Sequence, residues 1–155
     1  MEYGSIEREL LVDASPEVVF DVISSPEHMR EWWNGVASDV EVAPGSQGEL
    51  VWGDRATGDA HVVQVTVMDS VPPRLFSFRW VHEPGEVATV GNSLLVTFEL
   101  TPSGSGTVVR MTETGWRELG WEAARLEEAY NDHVVGWDTH LGGLRGYLTR
   151  LVSAP

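Results

Sequence analysis

A strand that stops at Asp13-Ala14 and turns into a helix at Ser15-Pro16-Glu17 constrains this chain more than any other feature. Ser15 suits an N-cap, Pro16 the first helical position and Glu17 the positive end of the helix dipole. Val19, Phe20 and Ile23 follow at helical spacing, which predicts a helix over 16–23. Ser25-Pro26-Glu27 repeats the start signal and predicts a second helix over 26–34, ending in Trp32-Trp33. Adjacent residues stand about 100° apart on a helix. One indole is therefore expected in the core, and the other over a cavity entrance or at the surface.

The middle of the chain has the period of strands. Before the first helix, residues 5–13 read as strand, with Ile6, Leu10 and Val12 as apolar positions. Ser38 to Ala43 alternates weakly and ends at the turn signal Pro44-Gly45. Gly48 to Gly53 carries Leu50 and Trp52 on one face. His61, Val63, Val65 and Val67 alternate with Val62, Gln64 and Thr66 until Pro72-Pro73 interrupts the pattern. Phe76, Phe78, Trp80 and His82 share a face of the next strand, and a loop is expected around Glu83-Pro84-Gly85-Glu86. Two more alternating runs, Leu94 to Leu100 and Val108 to Glu113, flank a tight connection at Ser103-Gly104-Ser105-Gly106. Strands joined by short turns make an antiparallel meander.

From about Gly120 the period changes to 3.6. Leu126, Tyr130, Val134, Trp137, Leu141, Leu144, Leu148 and Leu151 form one apolar stripe, which predicts a helix of up to about 30 residues. A sheet with one long helix buries both by laying the helix across its concave face. Gly136, Gly142, Gly143 and Gly146 lie within that helix, and each costs roughly 1 kcal/mol relative to Ala. A kink near Gly142-Gly143, or the close approach of another backbone there, is expected.

Composition removes several classes of function. A net charge of −14 argues against nucleic acid and anionic membrane surfaces. The chain has no cysteine, so disulfides, thiolate nucleophiles and zinc–sulfur sites are excluded. Its ten basic residues are all Arg, which removes Schiff-base lysines and a phosphate-loop lysine. No apolar run approaches the roughly 20 residues of a membrane span, and Met1-Glu2-Tyr3-Gly4 has no signal-peptide character. The expectation is one cytoplasmic domain over residues 1–155.

Four segments together resemble the activator of heat-shock protein 90 ATPase homologue-like family, within the START-like (SRPBCC) helix-grip superfamily. They are Asp13-Ala14-Ser15-Pro16-Glu17-Val18-Val19-Phe20; Ser25-Pro26-Glu27 with Trp32-Trp33; Pro72-Pro73-Arg74-Leu75 running into Phe78 and Trp80; and Gly136-Trp137 with Leu141 and Leu144. The resemblance implies an α+β helix-grip fold: about seven antiparallel strands around a long C-terminal helix, with two short helices after the first strand. It also implies a cavity between sheet and helix that takes a small hydrophobic or aromatic molecule. Two alternatives come with it: an enzyme like the polyketide cyclases and aromatases, and an interaction protein with a chaperone partner.

Candidate site residues follow from the faces. Trp52, Phe76, Phe78, Trp80, Tyr130 and Trp137 are the expected aromatic lining, because ligand cavities are mostly apolar with a few placed polar groups. His61 and Glu113 are polar residues on faces that otherwise read as inward, or sit at strand ends by the cavity mouth. A buried Glu113 must be paired, protonated or near a water-filled cavity, and an Arg partner is expected. His133 and His140 flank Trp137 on the long helix and are candidate polar anchors or acid–base groups. Seven residues along a helix span roughly 10.5 Å, too far for both imidazoles to bind one ion. Glu118, Glu122, Glu127 and Glu128 read as a solvated face near the helix start, so no metal and no cofactor is expected.

Overall fold

A computed structural model describes residues 4–81 and 86–153. Its elements are β1 (Ser5–Val12), α1 (Pro16–Ser24), α2 (Pro26–Trp32), β2 (Ala37–Ser38), β3 (Gln47–Trp52), β4 (His61–Val71), β5 (Leu75–Val81), β6 (Ser93–Ser103), β7 (Gly106–Thr114) and α3 (Ala123–Ser153). The strands form one antiparallel sheet in the order β1-β7-β6-β5-β4-β3-β2. This is the expected α+β arrangement: a meander from β2 to β7, with β1 added beside β7. The positions expected for His82 and for Glu83-Pro84-Gly85 lie outside the described residues.

Ser15 caps α1 as its chemistry demands, its Oγ accepting from the Val18 amide at 3.3 Å. The strand expected over Ser38 to Ala43 is shorter in the fold. Side chains divert its backbone: Ser38 Oγ accepts from the Val40 amide at 3.2 Å, and Asp39 Oδ1 from the Glu49 amide at 2.8 Å.

Cross-strand register puts Ile6, Glu113, Val96, Phe78 and Val67 in one row on one face of the sheet. All five are buried, and Glu113 is the row's single charged member. α3 packs on this face through Trp137, Leu141, Leu144 and Leu148. It runs unbroken through its glycines. Of the two outcomes expected at Gly142-Gly143, close approach is the one found: a Cβ built on Gly143 would stand 2.9 Å from the Trp32 carbonyl oxygen.

Candidate functional site

Glu113 is completely buried, and three N–H groups converge on its carboxylate. Trp80 Nε1 donates to Oε2 at 2.9 Å, and Trp137 Nε1 donates to Oε1 at 3.0 Å. His133 Nδ1 lies 2.9 and 3.0 Å from the two oxygens. The expected Arg partner is replaced by two indoles and an imidazole. The geometry explains why: His133 and Trp137 are four apart on α3 and share a face, and α3 lays that face over β7. Three donors on one carboxylate offset the cost of burying it, since charge-assisted hydrogen bonds are the strong ones. With Nδ1 carrying its hydrogen toward Glu113, the imidazole is fixed in one tautomer and orientation.

Beside this cluster lies a cavity of about 270 Å³. Its walls are four indoles (Trp33, Trp52, Trp80 and Trp137) with Val63, Val81 and Gly136 between them. His61, His133 and His140 contribute imidazoles, and the exposed Asn34 and Asp132 stand at the rim. Trp33, Trp80 and Trp137 pack mutually, with ring centroids 5.6–5.7 Å apart. Burial lowers the pKa of His140 from its ordinary 6.5 and so favours the neutral ring.

Trp33 reaches this wall because α2 ends one residue before it. Its backbone leaves the helix at φ −113°, ψ 55°, and Asn34 (φ 51°) and Gly35 (φ 73°) continue in the left-handed region. The expectation that only one of Trp32 and Trp33 enters the core is therefore corrected. Both are buried, stacked nearly parallel with centroids 5.1 Å apart. Trp33 lies just past the last residue of α2, where the 100° step between neighbours no longer applies. Trp32 Nε1 donates to the Val22 carbonyl at 2.8 Å, and Trp52 Nε1 to the Trp33 carbonyl at 3.0 Å.

The structure brings Trp52, His61, Trp80, His133 and Trp137 together around the cavity. His61 is exposed at the start of β4, its ring 5.9 Å from that of Trp52, which puts it at the mouth. Glu113 stands behind the wall formed by Trp80 and Trp137. Phe78 lies deeper, under the rings of Trp33 and Trp80 at 6.0 and 5.6 Å, and borders a separate small void with Phe76. Tyr130 is away from the cavity, its hydroxyl donating to the Ser5 carbonyl at 2.8 Å and its ring against Trp116. Asn34, Val63, Val81, Asp132 and Gly136 also line the cavity and are not among the expected site residues. Gly136 and His140 are four apart on α3, a spacing that signals a shared face.

Chemically, the site combines apolar walls with imidazoles whose orientation or protonation is set by their surroundings. Among the described residues, no group of three or more His, Asp or Glu side chains is arranged to hold a metal ion. No helix among them is long and apolar enough to cross a membrane.

The comparisons with known proteins agree with this architecture. No curated protein matches the sequence. Among solved structures, a protein of Mesorhizobium loti is similar at a TM-score of 0.75 and 22% identity, over 94% of this chain and 97% of that one. CalU16 from Micromonospora echinospora is similar at 0.65 and 19%, over 96% and 78%. The Aha1 dimer from Colwellia psychrerythraea is similar at 0.68 and 17%, over 93% and 95%. At these identities the likeness concerns the fold. The model of the Activator of Hsp90 ATPase homolog 1-like protein family matches residues 13–149, nearly the whole chain. The chain belongs to that family.

Proposed function

We propose that this protein binds a small apolar or aromatic molecule between α3 and the sheet, as a cytoplasmic binding or carrier module. The observation that carries the reading is the cavity itself. Four indoles border a space of about 270 Å³, with Trp52 and Trp80 more open to it than the fully buried Trp33 and Trp137; small-molecule sites start at about 300 Å³, so a small ligand is the fit. Aromatic walls supply affinity through apolar burial, and the imidazoles of His61, His133 and His140 supply polar contacts that orient the ligand.

A second reading is an enzyme that moves protons on a bound substrate. It is favoured by His133, oriented by Glu113 and lining the same cavity as the neutral-leaning His140. Binding is common to both readings and is tested first.

Gly136 offers the test, because a Cβ there would meet only the His140 ring, at 3.9 Å. A Gly136→Leu side chain therefore projects into the cavity without displacing the backbone. Titration with the neutral fluorophore N-phenyl-1-naphthylamine should show saturable binding of one probe per chain. Gly136→Leu should weaken it by at least about tenfold, or 1.4 kcal/mol, with an unchanged circular dichroism spectrum. Absence of saturable binding in the parent, or equal binding in the variant, overturns the proposal.

A further inference from the structure

We propose that the cavity selects an organic cation, a tertiary or quaternary ammonium carried on an apolar or aromatic body, over the neutral molecule of the same shape. The proposal rests on the ligand-binding reading above and adds the charge of the ligand to it.

The wall composition is the first argument. Indole has the strongest π-face for a cation among the aromatic side chains; of the four indoles that border this space Trp33 and Trp137 are fully buried, so Trp52 and Trp80 are the rings more open to a ligand. No Arg stands among the described lining residues, although the chain has ten. A carboxylate or phosphate would find only imidazoles here, and no permanently charged guanidinium fork.

Glu113 is the second argument. Its carboxylate is fully buried, directly behind Trp80 and Trp137, and each ring's N–H points at it. Donation to an anion pushes electron density into the indole, which deepens the negative potential of its face. The carboxylate also acts across the rings through a medium of low dielectric, where screening by water and salt is weak. A neutral ligand gains nothing from a charge in that position. Asp132 adds a second carboxylate at the rim, and the net charge of −14 favours approach of cations.

The groups that oppose a cation when protonated are His61 on β4, with His133 and His140 on α3. Cation affinity should therefore fall as the solution is acidified, while affinity for a neutral ligand changes little.

Phenyltrimethylammonium and tert-butylbenzene differ in charge and hardly in shape, so their displacement of N-phenyl-1-naphthylamine at pH 8 decides the matter. The cation is expected to bind about tenfold more tightly, the equivalent of 1.4 kcal/mol. Asp132→Asn, at an exposed position, should weaken the cation by about two- to threefold, within the range of one screened charge contact, and should narrow its advantage over tert-butylbenzene. Equal or tighter binding of tert-butylbenzene overturns the charge preference and leaves the cavity reading standing. Displacement of the bound probe by neither compound does the same. If the probe itself does not bind, both proposals fall together.

Discussion

Gly143 passes so close to Trp32 that a Cβ built on it would stand 2.9 Å from the Trp32 carbonyl oxygen. That contact seats α3 against the end of α2, next to the stacked pair Trp32 and Trp33. The neighbouring glycine, Gly142, has nothing within 4 Å of its Cβ position. The two should therefore respond in opposite directions to the same change.

Gly142→Ala should stabilise the protein by up to about 1 kcal/mol through helix propensity alone. Gly143→Ala gains the same propensity but forces backbone apart, and should lower stability by a net amount on the order of 1 kcal/mol. Urea unfolding of both variants checks the signs. A stabilised Gly143→Ala would show that the approach is looser than this geometry.

Replacing Glu113 by Gln turns one acceptor oxygen into a donor while Trp80, His133 and Trp137 still present theirs. At least one buried N–H loses its partner, and a loss of about 2–3 kcal/mol is expected. Chemical denaturation measures it. Near-UV circular dichroism should change as well, since two tryptophans lose their common anchor.

His140 makes folding stability depend on pH with a definite sign. Burial lowers its pKa in the fold below the ordinary 6.5, so the unfolded chain takes up the proton first. Its contribution is complete above pH 6.5 and is lost as the pH falls from there through the depressed folded value. Urea midpoints between pH 7.5 and 5 should fall less steeply in His140→Gln than in the parent. Parallel slopes would show that His140 is not the titrating group.

Local patterns are legible in the sequence where their cause is local. The Ser15 cap, the two-residue alternation of β4 and the α3 stripe each follow from neighbours in the chain, and each stands in the fold, save that Leu151 at the end of the stripe is exposed. The shortened β2 was not legible, because Asp39 finds its partner at Glu49 and not nearby. The inward turn of Trp33 depends on where α2 stops, and helix ends are the least determined part of a periodicity argument. At the site, the two-residue period placed Glu113 on an inward face. Its donors come from residues 20, 24 and 33 positions away, set by how α3 crosses the sheet. No spacing rule connects β7 to Trp80 on one side and to Trp137 on the other.

The pairing of β1 with β7, from Ser5 against Thr114 to Val12 against Thr107, has a kinetic consequence. β1 has no sheet partner until β7 exists, and almost the whole meander must be closed as a loop between them. Such long-range closure places a chain among the slow, millisecond-to-second folders. Until then, β1 is tied to the rest only through α1 and α2, which follow it and pack on each other. The cavity cannot close before α3 is made, because Trp137 lies beyond the final strand.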